Sequence, residues 1–143
     1  MTLRIKRLSP DVPLPAYGTA GAAAFDLAAG CDVEVPPHQI RLVPTGLVIQ
    51  VPAGYFLAVL ARSSTPLKRG LMVANGVGVI DSDYCGPADE VKVQVINVTD
   101  APVHVAKGDR LAQGMVLAAP RVEWEEVEDL AAPSRGGFGS TGR

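Results

Sequence analysis

The segment from Gly76 to Gly86 carries two carboxylates and a tyrosine at the end of an apolar run. The run ending at Ile80 predicts a buried strand, and Asp81-Ser82-Asp83-Tyr84 predicts a tight hairpin turn after it. A carboxylate that a rigid hairpin holds in a cleft can act as a general base. A solvated acidic turn without a catalytic role has the same composition, so this segment alone leaves both interpretations open.

A second polar group follows the apolar run Tyr55–Ala61 and consists of Arg62-Ser63-Ser64. With Pro66 soon after it and Gly70 as a stop, this stretch predicts a helix of one or two turns. The guanidinium, the two hydroxyls and the amides at the start of the helix are all donors, which together can bind an anion. A serine cap beside a surface arginine is the alternative.

Two further polar groups stand in apolar surroundings. Gln113 follows the turn at Gly108 and can both donate and accept, so it could reach a phosphate or a metal-bound water. Arg110 in the same segment could instead pair with Asp109 or another carboxylate. Asp26 lies in an apolar stretch where an unpaired carboxylate is costly, so it requires an arginine, a backbone cap or a hydrated cation as its partner.

The elements that position these groups are predicted to be short β-strands, because apolar residues recur with a period of two. Turn residues such as Pro36-Pro37 and Lys107-Gly108-Asp109 separate the strands. This pattern predicts one sandwich-like or barrel-like β domain. The predicted strands lie around Leu3–Leu8, Val33–Val35, Leu47–Val51, Tyr55–Ala61, Val91–Val98, Val103–Val105 and Val122–Val127.

Length and composition restrict the class of protein. The 143 residues, 48% apolar and 20% charged, suit one globular domain. The net charge of −2 provides no basic surface for duplex nucleic acid. Cys31 and Cys85 have no metal-binding spacing, so we expect free thiols of a reducing compartment. With no signal pattern and no apolar run of membrane length, we expect a cytoplasmic protein that does not bind membranes.

The last residues, from Ala131 to Arg143, are rich in glycine and cannot form a packed element. A frayed tail is one interpretation of this composition. The other is an arm that closes over a ligand, since Arg135 and Phe138 stand among the glycines.

Taken in order, five segments resemble the five motifs of the trimeric dUTPase family over nearly the whole chain. They are Ala22–Leu27, Arg62–Ser64, Gly78–Tyr84, Gly108–Gln113 and Gly136–Gly142. The resemblance implies an all-β, jelly-roll-like domain of the dUTPase-like β-clip type over residues 1–130. It further implies a short helix after the second motif and a flexible arm over residues 131–143 that closes over an active site.

The same resemblance implies an activity and an assembly. The activity is hydrolysis of dUTP to dUMP and pyrophosphate, assisted by Mg²⁺, which limits uracil in DNA and supplies dUMP for thymidylate synthesis. The assembly is a homotrimer whose active sites lie at subunit contacts.

Individual roles also follow from the resemblance. Asp81 would deprotonate the water that attacks the α-phosphate, and Tyr84 would pack on the deoxyribose and exclude a 2′-hydroxyl. Asp26 and Gln113 would contact Mg²⁺ through water. The implied substrate contacts are Arg62, Ser63, Ser64 and Gln113 at the phosphates, Asn75, Val79 and Ile80 at the uracil edge, Phe138 stacked on uracil, Arg135 at the γ-phosphate, and additionally Lys92 and Gly137.

Two alternatives remain beside this interpretation. A dCTP deaminase shares the fold, but Gln94 stands where such enzymes have a glutamate proton carrier, and an amide cannot act as a base. A non-catalytic nucleotide-binding jelly roll would not need Asp81. Relative to the family, Pro87-Ala88-Asp89 look inserted on the far side of the acidic turn.

Overall fold

A computed structural model describes residues 1–137 of the chain. Within these residues, short strands form most of the regular structure, and Phe25–Ala28, Leu71–Val73 and Lys92–Asn97 alternate in burial as the period-two pattern predicts. The elements are β1 (Arg4–Arg7), β2 (Phe25–Ala28), β3 (Val33–Val35), β4 (Ile40–Pro44), β5 (Leu47–Gln50), β6 (Tyr55–Ala61), α1 (Ser64–Arg69), β7 (Leu71–Val73), β8 (Gly78–Ile80), β9 (Lys92–Asn97), β10 (Val103–Val105) and β11 (Arg110–Ala118).

The strands form four antiparallel sheets. The largest has the order β2-β11-β6-β8, a second has the order β4-β9-β7, and two pairs are formed by β1 with β5 and by β3 with β10. The arrangement confirms the predicted all-β, jelly-roll-like architecture with one short helix. α1, the one helix among residues 1–137, is not long and apolar enough to cross a membrane.

The core lies between the sheets and is almost entirely aliphatic. Its largest fully buried side chains include Leu27, Leu57 and Leu111, which come from the three neighbouring strands β2, β6 and β11. Burial of each such side chain contributes about 1.5–3 kcal/mol relative to exposure. One face of the sheet β2-β11-β6-β8 therefore packs against the core.

Gly114 allows β2 and β11 to approach closely beside the site. A Cβ at this position would lie 2.5 Å from Cε2 of Phe25 and 3.1 Å from Cδ1 of Leu57. The pairing of Gly114 with Phe25 also sets the register in which Gln113 faces Asp26. The glycine thus fixes the spacing of two candidate site residues.

The predicted strand at Val122–Val127 is wrong. Residues 121–130 form no strand and are exposed throughout, and Trp124 is 92% exposed. The alternation of valine, tryptophan and glutamate is real, but a strand requires a partner edge. The described part of the chain offers no strand that pairs with this segment.

The predicted hairpin around Asp81 is also wrong. β8 pairs with β6, whereas β9 pairs with β4 and β7, so the acidic turn connects two different sheets. The turn residues gave the correct position of the chain reversal. They could not indicate which strands pair on either side of it.

Candidate active site

The segment Arg62-Ser63 connects the end of β6 to α1, and the predicted short helix is confirmed. Gly70 ends it in the left-handed region, with φ 63°, and donates its N–H to the Pro66 carbonyl at 3.1 Å. Ser63 stands at the N-cap but makes no side-chain cap hydrogen bond. Its exposed hydroxyl is therefore not used by the helix, which differs from the interpretation of this serine as a cap.

Asp26 lies where three of the singled-out segments meet. In the sheet it faces Gln113 of β11, which in turn faces Leu60 of β6. Asp26 Oδ1 lies 2.8 Å from Arg62 Nε, and Asp26 Oδ2 lies 3.1 Å from an Arg110 terminal nitrogen. The partner that Asp26 requires is thus a pair of arginines, and Arg110 pairs with Asp26 and not with Asp109.

Further hydrogen bonds hold this cluster together. A terminal nitrogen of Arg62 donates to the Arg110 carbonyl at 3.1 Å. Gln113 Nε2 donates to the Ala61 carbonyl at 3.0 Å, which leaves its amide oxygen as the available acceptor. Two guanidiniums around one carboxylate have an excess of positive charge. Together with the Ser63 hydroxyl, they form an arrangement that suits a polyanion.

An ion pair that the sequence did not predict joins the other end of α1 to the same region. A terminal nitrogen of Arg69 lies 2.6 Å from Asp109 Oδ2, which also accepts the Ala106 N–H at 2.9 Å. The Arg69 guanidinium, opposed by partial burial and assisted by the Ala106 N–H, lowers the pKa of Asp109. The same carboxylate raises the pKa of Arg69. Neighbouring residues in sequence gave no signal for this pair, since the two lie 40 positions apart.

The acidic turn forms a second polar group. Asp81 directly follows β8 and is exposed, and its carbonyl accepts the Tyr84 N–H at 3.2 Å. Tyr84 Oη donates to the Glu90 carbonyl at 3.3 Å. Asp81 also borders a surface depression lined by Tyr55, Phe56, Asp83 and Arg121 among others. The turn therefore presents one carboxylate and one aromatic ring on the same loop.

Pro87-Ala88-Asp89 lie in a turn of their own. Gly86 N–H donates to Asp89 Oδ2 at 2.7 Å, and Asp89 N–H donates back to the Gly86 carbonyl at 3.1 Å. Pro87 and Ala88 lie between these two bonded residues. This turn is thereby closed at its base, directly after the segment that carries Asp81 and Tyr84.

β8 is an edge strand of its sheet, because only β6 pairs with it among the described strands. Val79 is exposed at this edge, and the turn that precedes β8 holds Asn75 and Gly76, whose φ is 71°. An edge strand presents backbone N–H and C=O groups to a ligand. Asn75, Val79 and Ile80 are thus adjacent, as their common implied role requires.

The remaining predicted site residues belong to other parts of the chain. Lys92 begins β9 in another sheet and is exposed. Arg135 and Gly137 follow the last strand, outside any helix or strand, and are exposed. Phe138 lies outside the described residues.

The cluster around Asp26 and Arg62 and the acidic turn at Asp81 do not meet within one chain. Ile80 pairs with Leu57 near the start of β6, whereas Arg62 follows the end of the same strand. With about 3.3 Å per residue, Asp81 and Arg62 stand roughly 20 Å apart along β6. Asp26, Arg62, Ser63, Ser64 and Gln113 are brought together, and Asp81 and Tyr84 lie at the opposite end of the strand.

Comparison with known proteins adds a family match over the same segments. A protein-family model described as dUTPase matches residues 11–142. A deoxyuridine 5′-triphosphate nucleotidohydrolase of Caulobacter vibrioides is 43% identical over 150 residues, covering 99% of this chain and 95% of the relative. The enzyme of the same name from Wolinella succinogenes is 43% identical over 145 residues, covering 100% of this chain and 95% of the relative. The crystal structure of a dUTPase from Streptococcus mutans superposes with a TM-score of 0.78 and 32% identity, covering 87% of this chain and 100% of that one.

Proposed function

Because the chain belongs to the dUTPase family and hydrolyses dUTP to dUMP, we propose that its active site is shared between copies, with Asp81 as the base. The relatives are named for the hydrolase reaction, which disfavours both the deaminase and the non-catalytic alternative.

One observation carries the proposal of a shared site, namely the position of Asp81 and Arg62 at opposite ends of β6. A general base must lie within hydrogen-bond reach of the attacking water. A separation of roughly 20 Å, estimated from the strand rise, is too long for one carboxylate and one guanidinium to serve the same α-phosphate. A homotrimer, with Asp81 from one copy and Arg62 from another, removes this conflict.

The sheet β4-β9-β7 supports the proposed trimer with an apolar face. Ile40, Ile96 and Met72 lie side by side across its three strands, and Leu42 follows on the same face. Ile40, Leu42 and Met72 are exposed in the single chain. An exposed sheet face is usually polar, so an apolar row of this kind favours contact with another copy of the chain.

The proposed reaction uses Asp81 as the acceptor of one proton. Asp81 takes a proton from water as the water oxygen attacks the α-phosphorus in line, and the bond from that phosphorus to the bridging oxygen breaks. The products are dUMP and pyrophosphate. The Tyr84 ring, held by its hydrogen bond to the Glu90 carbonyl, packs on the deoxyribose and leaves no space for a 2′-hydroxyl.

The nucleobase is proposed to pair with the open edge of β8. Backbone groups at Val79 and Ile80, with the Asn75 side chain, would bond uracil as a neighbouring strand would. Cytosine reverses the donor and acceptor at its position 4, so buried groups would stay unpaired against it. Lys92, two residues beyond Glu90, is assigned to the same end of the site.

The phosphates are proposed to bind at the cluster that Asp26 forms with Arg62 and Arg110. Arg62, Ser63, Ser64 and the second amide N–H of Gln113 supply the donors, and charge neutralisation with positioned donors is what phosphoryl transfer needs from the protein. Residues 131–143 are proposed to be the arm that closes over the site, with Arg135 at the γ-phosphate and Gly137 and Phe138 over uracil. Closure of such an arm excludes water.

The residues present fit Mg²⁺ only as an ion brought by the substrate. Among residues 1–137, no group of three or more His, Cys, Asp or Glu residues could hold a metal. Both oxygens of Asp26 already face guanidiniums, so Asp26 and the Gln113 amide oxygen would contact the ion through water. When bound, Mg²⁺ supplies positive charge at the phosphate oxygens.

A mixing experiment tests the shared site. Asp81→Asn and Arg62→Gln are each expected to be inactive, and equal amounts are unfolded together and refolded. With Asp81 and Arg62 from different copies, random assembly gives about one quarter intact sites, by the arithmetic of symmetric oligomers. Recovery near that fraction of wild-type dUTP hydrolysis supports the proposal. No recovery from a mixture that forms mixed oligomers contradicts it.

A substrate panel tests the specificity. The protein is incubated with dUTP, dCTP, dTTP and UTP in the presence of Mg²⁺, and both pyrophosphate and ammonia are measured. Pyrophosphate from dUTP alone is expected. Ammonia from dCTP would contradict the assignment of the β8 edge to uracil.

A further inference from the structure

We propose that Arg69 is a positioning residue for phosphate binding, because through Asp109 it fixes the orientation of α1 relative to β11. The inference rests on the proposed role of Arg62, Ser63 and Ser64 as phosphate donors. Arg69 does not contact the substrate in this proposal. It acts on donors at the opposite end of its own helix.

The anchor point of Arg69 is itself held rigidly. Asp109 Oδ2 accepts from Arg69 at 2.6 Å and from the Ala106 N–H at 2.9 Å. The Asp109 carbonyl accepts the Ala29 N–H at 2.9 Å. Arg69 is thus fixed to a residue that its own turn, through Ala106, and the end of β2, through Ala29, also hold.

The two anchors of α1 stand on either side of Arg110. Near the start of the helix, the buried Thr65 donates its hydroxyl to the Leu111 carbonyl at 2.8 Å. At its last residue, Arg69 binds Asp109. Arg110, between these two anchor residues, contacts Asp26 and accepts from Arg62.

A helix of this length depends on such anchors. α1 spans six residues, and isolated helices shorter than about 12–15 residues are marginal in water. Without the Arg69 contact, Thr65 is the remaining side-chain hydrogen bond from α1 to the segment before and within β11, so the start of the helix, with Ser63 and Ser64, can shift relative to Arg110. Donors that must converge on one polyanion lose up to roughly 100-fold in effectiveness when displaced by about 1 Å.

A second ion pair on the same turn provides a matched control. Lys107 binds Asp11 and so ties the amino-terminal segment, not α1, to the turn before β11. The side chains of both pairs are partly exposed, with 31% and 27% for Arg69 and Asp109 and 42% and 56% for Lys107 and Asp11. Removal of either pair is therefore expected to leave the fold intact.

The test compares Arg69→Met with Lys107→Met. Steady-state hydrolysis gives kcat and KM for dUTP, and calorimetry gives the affinities for inorganic pyrophosphate and for deoxyuridine. For Arg69→Met we expect the KM for dUTP and the dissociation constant for pyrophosphate to rise roughly 10- to 100-fold. The affinity for deoxyuridine stays unchanged. Lys107→Met retains wild-type values for all three ligands.

Two further variants separate positioning from other roles. Arg69→Lys keeps the charge and is expected to lie between wild type and Arg69→Met. Asp109→Asn keeps an acceptor for the Ala106 N–H but loses the ion pair, and it should reproduce the effect of Arg69→Met. Because both residues act through one contact, the double variant should be no worse than either single one. A double variant with summed losses would show that Arg69 acts directly, which overturns the proposal.

Arg62→Gln distinguishes failure of this inference from failure of the proposed function. If Arg62→Gln retains pyrophosphate affinity, the phosphate-binding assignment itself is wrong. If Arg62→Gln loses affinity while Arg69→Met behaves like Lys107→Met, only the positioning role is wrong. Should Arg69→Met fail to fold, Asp109→Asn supplies the same comparison.

Discussion

Asp26 Oδ1 and Arg62 Nε lie 2.8 Å apart although β11 runs between β2, which carries Asp26, and β6, which Arg62 directly follows. Two strand spacings separate β2 from β6, which is about 9.5 Å. The long arginine side chain therefore crosses over β11, where it also donates to the Arg110 carbonyl. Through these two contacts Arg62 joins the segments Ala22–Leu27, Arg62–Ser64 and Gly108–Gln113 into one cluster.

Loss of the Asp26 carboxylate is expected to weaken both the fold and substrate binding. Asp26→Asn leaves two guanidiniums without their shared counter-charge, so the free energy of unfolding should fall by about 1–3 kcal/mol. The KM for dUTP should rise, because Arg62 is no longer held in place. Urea denaturation and steady-state kinetics measure the two effects. Asp100→Asn, which removes the exposed partner of His38, is the control and should change neither.

Asp81→Asn is expected to separate catalysis from binding. The asparagine keeps the shape of the side chain but cannot accept the proton, so kcat should fall by a factor of about 100 to 10,000. Affinity for a non-hydrolysable dUTP analogue should stay near that of wild type. Asp83→Asn is the control on the same turn, and it should retain most of the activity. Normal turnover by Asp81→Asn would assign the base to another group.

Acid should destabilise the protein partly through Asp109. The pKa of this carboxyl is lowered from 3.8, first by Arg69, so its contribution to stability is complete above that value. As the pH falls through the folded-state pKa, the carboxylate protonates and the contribution disappears. The free energy of unfolding should therefore decline below about pH 4, and more gently in Asp109→Asn. An unaltered decline in that variant would place the acid sensitivity elsewhere.

Shortening the chain tests the proposed arm. Truncation after Pro133 removes Arg135, Gly137 and Phe138 but no helix or strand among the described residues. We expect kcat/KM for dUTP to fall by roughly tenfold or more, because closure completes the site, while the thermal midpoint stays unchanged. Undiminished activity would show that these three residues have no part in the reaction.

Gly114→Ala should disturb the register next to Asp26. The added Cβ would lie 2.5 Å from the Phe25 ring, so β2 and β11 must move apart, at a cost of about 1–3 kcal/mol. Gly21→Ala is the matched control, because nothing lies within 4 Å of a Cβ at that position. Equal stability of the two variants in urea would show that the sheet accommodates the methyl group.

Local patterns predicted the elements well where the deciding physics is local. The strands Tyr55–Ala61 and Val103–Val105 have the predicted bounds, since turn residues such as Gly54 and Pro102 directly precede their apolar runs. The helix α1 was predicted from Pro66, which is typical of a first helical turn, and from Gly70, which is typical of a helix end. The pairing of the strands could not be predicted from the sequence, because the period-two pattern does not indicate whether β8 pairs with β6 or with β9.

The candidate site likewise has features that local sequence predicts and features that depend on the tertiary fold. The sequence indicated that Asp26 requires a partner, because an unpaired carboxylate in an apolar stretch is costly. It did not indicate Arg69 as the partner of Asp109, since the two residues meet only through the tertiary fold. The segment Val122–Val127 shows the converse, with a strand-like pattern and no partner edge in the described chain.

The exposed position of Trp124 makes its intrinsic fluorescence a probe of the segment in which it lies. It is the only tryptophan of the chain and is 92% exposed, so its indole is already in water before the protein unfolds. Its emission should consequently be insensitive to melting of the core, and backbone circular dichroism is the better probe for that. A blue shift of the same emission would instead signal that residues 121–130 have become covered, without any attached dye.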